Sequence, residues 1–213
     1  ERPIDKQFWV ERLSEAYQVR KHLDLVRPDN DIYRLVHGEG DQLPGLIIDI
    51  YGETAVMQAH SVGMHCCRQE IAEALIDACE GSVKHVYYKS ETTLPYKADL
   101  HQENGFLVGG DETNIATENG LKFHIDWLKG QKTGFFLDQR DNRDLVGKMA
   151  RGHNVLNLFC YTGGFSIYAL AGGAKHVDSV DSSKKAMLMV DRNVILNGFD
   201  ESMHTSLCCD AID

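Results

Sequence analysis

The chain has 213 residues, 43% hydrophobic and 25% charged, which is typical of a globular protein with one large core or two small ones. It has no apolar run of 18 residues that could span a membrane, and its first residues lack the apolar segment of a signal peptide. The net charge of −10 argues against a free-standing nucleic-acid binder, because phosphate contacts need clustered Lys and Arg.

The cysteines do not form a disulfide or zinc pattern. Two pairs are adjacent in sequence and none has CxxC spacing, so we expect reduced, buried thiols in a cytoplasmic protein. The chain begins with Glu1 rather than Met, so we also expect a piece of a longer protein. The six residues are Cys66, Cys67, Cys79, Cys160, Cys208 and Cys209.

The first part of the chain predicts an α+β domain over residues 1–128. An apolar stripe predicts a helix over 7–27, which Pro28 ends because proline cannot extend a helix. A second helix is expected over 63–79, and residues 90–120 are expected to form a long loop or a hairpin. The predicted strands are 32–36, 46–51, 54–59, 83–89 and 121–127.

From residue 129 onwards, the predicted strands alternate with predicted helices. This pattern predicts βαβ units and a parallel sheet, so the fold class is α/β, with a partial Rossmann-like domain over 129–213. A doubly wound sheet has more strands than the three predicted here, so we expect the N-terminal half of such a sheet. The predicted helices are 138–149, 165–170 and 183–196, and the predicted strands are 155–159, 176–180 and 204–209.

A glycine turn, Thr162-Gly163-Gly164-Phe165, lies between a predicted strand and a predicted helix. A dinucleotide fingerprint fails here, because Tyr161 stands where a diphosphate needs glycine. S-adenosyl-L-methionine (SAM) carries no phosphate and tolerates a looser pattern. The turn therefore favours SAM, and the alternative is a plain tight turn.

Two acids follow the next two strands. Asp181 is placed to accept both ribose hydroxyls of a nucleoside cofactor, or else to cap the following helix. Asp210, followed by Ala211, is placed to accept the adenine amino hydrogen, and the alternative is a solvated loop acid. Ile212 could pack on the adenine face.

Two polar residues near the turn have structural alternatives. Asn157 lies inside an otherwise apolar strand, so it needs a partner. We expect it to bond the turn or the cofactor's amino group, or else to make a strand–turn hydrogen bond. Cys160 is interpreted as a packing residue rather than a nucleophile. Cys208 and Cys209 are expected to face opposite sides of the last strand, in the core.

Basic residues cluster just before the cofactor strand, interleaved with acids. Solvated helix charges explain such a cluster, and contact with RNA phosphates or with the cofactor's carboxylate is the functional alternative. The residues are Lys132, Arg140, Arg143, Lys148 and Arg151.

Three segments together resemble a known family: residues 43–49 (LPGLIID), 130–143 (GQKTGFFLDQRDNR) and 157–165 (NLFCYTGGF). They are similar to the class I SAM-dependent methyltransferases of the ribosomal RNA large-subunit methyltransferase I type. That family makes 5-methylcytosine in large-subunit ribosomal RNA. The likeness covers nearly the whole chain in order.

The resemblance implies three parts: an RNA-binding PUA domain, a central α+β domain and a Rossmann-like catalytic domain. We expect this chain to start after the PUA domain and to end before the Asp-Pro-Pro and catalytic cysteine motifs. It would then be inactive and carry no catalytic residue. The resemblance implies SAM contacts from the segments 132–140 and 157–165 and from the two acids, and the residues expected there are Lys132, Thr133, Phe135, Gln139, Arg140, Asn157, Tyr161, Thr162, Gly163, Gly164, Phe165, Asp181, Asp210 and Ala211.

Two rival functions remain open at the level of sequence. One is a nicotinamide-dependent oxidoreductase, which would bind NADH rather than SAM. The other is a non-enzymatic RNA-binding module, which would bind RNA without SAM. The expected partner is ribosomal RNA, with no metal and no membrane. A half sheet also exposes a strand edge, so we expect self-association through the first parallel strand.

Overall fold

The computed structural model describes residues 3–94, 100, 103–110 and 113–212. They divide into two compact units. The first comprises residues 1–117 and 125–135, and the second comprises 118–124 and 136–213. No helix within the described residues is long and apolar enough to cross a membrane. The predicted domain boundary between residues 128 and 129 falls within 125–135, the second of the two segments that make up the first unit. The predicted division into domains stays a prediction.

A five-stranded sheet in the order β1-β2-β3-β4-β5 forms the centre of the first unit. Strands β1, β2 and β3 pair antiparallel, β4 runs parallel to β3, and β5 is antiparallel to β4. The described part of this unit has three α-helices, α1 (Lys6–His22), α2 (Val62–Cys66) and α3 (Arg68–Ala78), and a 3₁₀ helix, Gly38–Asp41. The strands are β1 (Ile32–His37), β2 (Leu46–Tyr51), β3 (Thr54–Ala59), β4 (His85–Tyr88) and β5 (Gly105–Val108).

The second unit contains a three-stranded parallel sheet in the order β10-β9-β8. Its strands are β8 (Asn154–Leu158), β9 (His176–Val180) and β10 (His204–Leu207). Helices α4 (Arg140–Met149), α5 (Gly164–Ala171) and α6 (Lys184–Leu196) alternate with them. The α/β class and the parallel pairing are confirmed. Strands β6 (Ile115–Glu118) and β7 (Leu121–His124) form a separate two-stranded sheet where the chain passes from one unit to the other.

Several predicted bounds were wrong for local reasons. Helix α1 ends at His22 rather than at residue 27, because Asp24 takes a left-handed conformation (φ 56°) before Pro28 is reached. The helix predicted over 63–79 is two helices separated at Cys67. Residues 90–120 were expected to form a long loop or a hairpin; β6 does begin a hairpin with β7, but β5, which pairs with β4, was not predicted.

Three more bounds were wrong in the later part of the chain. The strand predicted over 121–127 stops at His124. The helix predicted from Asp138 begins with a 3₁₀ turn, Leu137–Gln139, and becomes α-helical at Arg140. The last strand ends at Leu207 rather than at residue 209, which changes the surroundings of the two cysteines that follow.

Candidate cofactor site

The turn after β8 has an unusual backbone. Phe159, Tyr161 and Gly163 have φ values of 56°, 48° and 79°, so three of five consecutive residues are left-handed. A residue with a side chain gives up about 1–2 kcal/mol in this region. Glycine is required at 163 for a second reason, since a Cβ there would lie 2.9 Å from Cγ1 of Val190 in α6.

Four contacts hold this turn in place. The amide of Cys160 donates to the carbonyl of Val180 at 3.1 Å, and the amide of Tyr161 donates to Oδ2 of Asp181 at 2.9 Å. Nδ2 of Asn193 donates to the carbonyl of Thr162 at 3.0 Å. The Tyr161 ring meets Phe136 edge-on, with centroids 5.4 Å apart. These bonds offset the cost of the left-handed residues.

Asp181 lies at the end of β9, next to the turn rather than on the opposite side of the unit. Its Oδ1 accepts the amide of Ser183 at 2.9 Å while Oδ2 accepts that of Tyr161. It therefore links the turn to the beginning of α6, where the Ser183 hydroxyl accepts the amide of Ala186. A carboxylate has about four acceptor sites, so two backbone bonds leave room for ribose hydroxyls. The ribose role stays a prediction.

Asp210 follows β10 and is exposed. Its Oδ1 accepts the amide of Ile212 at 3.0 Å, which fixes the short segment that includes the half-buried Ala211. The carboxyl ends of β8, β9 and β10 lie at one edge of the sheet, because the strands are parallel and in direct register. Thr162, Gly163, Gly164, Phe165, Asp181 and Asp210 are thus brought to this edge, where an α/β sheet binds its ligands.

Asn157 is half-buried in β8, and its described contact goes to a helix rather than to the turn. Its Nδ2 donates to the hydroxyl of Ser166 in α5 at 2.8 Å. Ser166 bonds Ser179 of β9 at 2.7 Å, and Ser179 bonds Nε2 of His204 at 2.8 Å. This chain of polar groups links all three strands beneath α5, which is a structural use of the amide. A contact of Asn157 with the cofactor stays a prediction.

The predicted residues of the segment 132–135 belong to the first unit. Lys132 is exposed and left-handed, with φ 49°, and Phe135 is buried. Thr133 is buried: its hydroxyl donates to Oδ2 of Asp49 at 2.5 Å and bonds the Tyr51 hydroxyl at 2.8 Å. Burial raises the pKa of Tyr51 well above its usual value. The Thr133 hydroxyl thus has internal partners, and the cofactor roles of these three residues stay predictions.

Gln139 and Arg140 lie at the beginning of α4 in the second unit, and both are half-buried. The Gln139 amide bonds Asp138 at 3.0 Å and Asn142 at 2.9 Å. Nε of Arg140 contacts Oε2 of Glu118 at 3.2 Å. Both side chains thus have partners within the unit, and their predicted contacts with SAM stay predictions.

Arg143 does not belong to an exposed basic cluster. It is 2% exposed and forms a two-bond ion pair with the fully buried Glu118, at 2.9 and 2.7 Å. Its Nη1 also donates to the carbonyl of Phe136 at 2.8 Å. The Tyr168 hydroxyl donates to Glu118 Oε1 at 3.0 Å. Because these bonds enclose the guanidinium, Arg143 cannot reach an RNA phosphate, and that alternative was wrong for this residue.

Cys160 has the properties expected of a packing residue. Its sulfur lies 3.6 Å from the sulfur of Met187, and burial together with the nearby Asp181 raises the pKa of the thiol to about 12. Only the thiolate is a good nucleophile, so this thiol is poorly suited to covalent catalysis near neutral pH. The expectation for Cys208 and Cys209 was wrong, because both are exposed beyond the end of β10. Cys66 is exposed as well.

Two polar residues were missed by the sequence reading. Asn193 is fully buried and bonds the turn, and Glu118 is fully buried and bonds Arg143. A signal existed for Asn193, since it is a polar residue on the apolar face that α6 buries with Val190 and Val194. Glu118 lies in a short strand within the segment that the sequence predicted as a long loop or a hairpin, and no apolar pattern in that segment indicated its burial.

Comparison with known proteins identifies the family. The family model of S-adenosylmethionine-dependent methyltransferases matches residues 94–211. The ribosomal RNA large subunit methyltransferase I of Tolumonas auensis is 41% identical over 203 residues, covering 92% of this chain and 50% of that protein. The chain thus spans about half the length of the curated relatives it matches.

Solved structures agree with this match. A protein assigned as a SAM-dependent methyltransferase from Streptococcus mutans is 26% identical and superposes with a TM-score of 0.85 over 100% of this chain and 55% of its own. A second protein assigned as a methyltransferase, in a crystal structure complexed with SAH, gives the same TM-score and identity over 100% of this chain and 54% of its own. Of the two cofactors that the sequence left open, the family uses SAM. The chain belongs to the S-adenosylmethionine-dependent methyltransferases.

Proposed function

We propose that this chain supplies the SAM-binding turn of a methyltransferase that acts on large-subunit ribosomal RNA. The observation that carries the proposal is the convergence of the left-handed turn, Asp181 and Asp210 at the carboxyl edge of one parallel sheet. A further support is the 41% identity to a relative that bears this name.

The residues at this edge fit an adenosyl cofactor by their chemistry. In the proposal, the Asp181 carboxylate accepts the ribose hydroxyls with the acceptor sites that its two backbone bonds leave. Asp210 accepts the adenine amino hydrogen, and the backbone of Thr162–Phe165 lies against the rest of the ligand. SAM supplies an electrophilic methyl group when it is bound.

The finer proposal is that the acceptor is C5 of a cytosine. It is supported by the resemblance of residues 130–143 and 157–165 to the family that makes 5-methylcytosine. C5 is a poor nucleophile until a thiolate adds to C6. The resulting enamine would attack the methyl carbon of SAM through C5, with SAH as the leaving group, and a base would then remove the C5 proton as the thiolate leaves C6.

The thiol for this reaction is not assigned to any cysteine in the chain. None of the six matches the family's catalytic cysteine motif, and the pKa values of Cys79 and Cys160 are raised to about 12, mainly by burial. We therefore propose that the 213-residue chain binds SAM without transferring the methyl group to RNA. Methyl transfer to ribosomal RNA by this chain alone would contradict this part of the proposal.

Calorimetric titration with SAM and, separately, with NADH tests the central claim. We expect saturable binding of SAM and none of NADH, because the turn lacks the glycines that seat a diphosphate. Binding of NADH without SAM would support the oxidoreductase alternative. Titration with ribosomal RNA, in the presence and absence of SAM, tests the RNA-binding module, which requires tight binding that does not depend on SAM.

A further inference from the structure

Asn193 connects the cofactor turn to a neighbouring strand through a single side chain. It lies on α6 and is 0% exposed. Its Nδ2 donates to the carbonyl of Thr162 at 3.0 Å, and its Oδ1 accepts the amide of His124 in β7 at 2.8 Å. Both partners are backbone groups, so the carbonyl can only accept and the amide can only donate. The orientation of the Asn193 amide is therefore fixed by chemistry.

The carbonyl that Asn193 holds belongs to the most constrained part of the turn. Thr162 lies between Tyr161 and Gly163, both left-handed. The Tyr161 amide is bonded to Asp181 on one side, and the Gly163 amide donates to the carbonyl of Cys160 at 2.8 Å. Asn193 thus restrains the peptide whose orientation decides where the N–H groups at the beginning of α5 point.

We propose that Asn193 is a positioning residue for cofactor binding: its amide fixes the Thr162 carbonyl and thereby holds the turn in the shape that receives SAM. This inference rests on the proposed SAM-binding role of the turn. An aliphatic side chain of similar size would fill the space but leave two buried backbone groups unpaired, and each such loss is costly in an interior.

The variant Asn193→Asp separates the two bonds. An ionised carboxylate still accepts from His124 but cannot donate to the Thr162 carbonyl. Because a buried carboxyl can take up a proton and then donate, Asn193→Leu, which has no polar side-chain atom, is measured beside it. We expect the dissociation constant for SAM, measured by calorimetry on the full chain at neutral pH, to rise by about tenfold or more, the effect of one lost buried hydrogen bond with an unpaired acceptor left behind.

Asn197→Asp is the matched control. Asn197 follows the last residue of α6, one turn beyond Asn193, and its side chain bonds both backbone groups of Lys122, at 2.9 and 2.7 Å, and the backbone carbonyl of Asn193 at 2.8 Å. None of its bonds within the described residues goes to the turn. We expect it to lower the melting temperature, as Asn193→Asp does, while leaving the SAM affinity unchanged. If the two variants weaken SAM binding equally, or if Asn193→Asp binds SAM like the parent chain, the inference is overturned.

A second measurement keeps the inference testable apart from the proposed function. Hydrogen exchange of the Tyr161 and Gly163 amides needs no cofactor. We expect Asn193→Asp to lose protection at these two amides, and Asn197→Asp to keep it. If the parent chain does not bind SAM, the proposed function fails, and exchange alone decides: unchanged protection in Asn193→Asp overturns the positioning role.

Discussion

At the scale of single residues, Asp181 has the clearest expected phenotype. Asp181→Asn keeps the size but loses the charge, and its amide nitrogen cannot accept one of the two backbone N–H groups that the carboxylate receives. Hydrogen bonds to charged groups contribute ~1.5–3 kcal/mol, so we expect SAM affinity to fall by about tenfold to a hundredfold. Calorimetry measures this loss.

Asp178→Asn is the control for that substitution. Asp178 lies on β9, three residues before Asp181, and contacts His176 rather than the turn. It should leave the affinity for SAM unchanged. Equal affinities for the parent chain and Asp181→Asn would show that Asp181 neither holds the turn nor binds the ribose.

Cys160 gives a second prediction at this scale. Because burial and Asp181 raise the pKa of its thiol to about 12, we expect it to resist alkylation by iodoacetamide near pH 8. The exposed Cys66, Cys208 and Cys209 should react first, as peptide mass spectrometry after short labelling times would detect. Labelling of Cys160 as fast as that of Cys208 in the folded chain would contradict the prediction.

The sequence could predict the position of those residues that lie at a fixed distance from the end of a strand. The glycines of the turn and the acid at the end of β9 stand at fixed places relative to a strand end, so Gly163 and Asp181 could be assigned to one edge of the sheet before the fold was known. Glu118 and Arg143 are 25 residues apart, and their pairing depends on tertiary packing alone. Nothing in the spacing distinguishes Arg143 from the exposed Lys148.

At the scale of elements, we expect the ion pair between β6 and α4 to have the largest effect on the free energy of unfolding. Glu118 is fully buried and receives bonds from Arg140, Arg143 and Tyr168. Glu118→Gln leaves the Arg143 guanidinium in the interior without a counter-charge, which costs about 3–5 kcal/mol. We expect a lower urea midpoint, measured by circular dichroism. Lys148→Gln breaks the exposed Lys148–Asp144 pair, and the midpoint should change little.

The pH dependence of stability has a definite sign at the half-buried His204, the last member of the hydrogen-bonded chain Asn157–Ser166–Ser179–His204. Burial lowers the pKa of His204 in β10 below its usual value. The unfolded chain therefore takes up this proton at a higher pH than the folded chain, so stability falls as the pH drops below about 6.5. Denaturation at pH 7.5 and 5.5 should show the loss, and His204→Gln should reduce it. An equal loss in both proteins would exclude His204 as a cause.

The bounds of a helix or strand were predictable where one periodic pattern of apolar residues covers the whole element. Strands β2 and β3 and the helix α6 begin and end within a residue of the expected bounds. The errors lie where tertiary context changes a local pattern. Cys67 interrupts a helix whose apolar pattern is continuous. The polar composition of residues 90–120 left a long loop or a hairpin open, but it did not predict β5, a short strand that joins the larger sheet.

At the scale of the whole molecule, the negative charge is unevenly divided. The first unit contains 21 acidic and 13 basic residues, and the second contains 11 and 9. The acidic excess therefore belongs mainly to the first unit, whereas the candidate cofactor site belongs to the second. An RNA substrate would meet less repulsion at the second unit, which agrees with the proposed function without requiring the chain to bind RNA tightly by itself.

Strand β8 lies at the end of its sheet, and within the described residues no strand pairs with its other side. It contains no charged residue, and Leu156 at its centre is 61% exposed. Native edge strands are usually protected by charges, prolines or bulges, and this edge has none of them. Self-association through it stays a prediction. We expect a second copy to pair antiparallel about a two-fold axis, so that Leu156 meets its own counterpart.

Light scattering over a concentration series tests this pairing. We expect the mean mass to rise from monomer towards dimer as concentration increases, and Leu156→Lys to remain monomeric, because the two-fold axis would bring two ammonium groups together. Leu188→Lys is the control, since Leu188 is an exposed leucine on α6 away from the edge. It should dimerise like the parent chain. A parent chain that stays monomeric at the highest concentration would show that the β8 edge does not pair with itself.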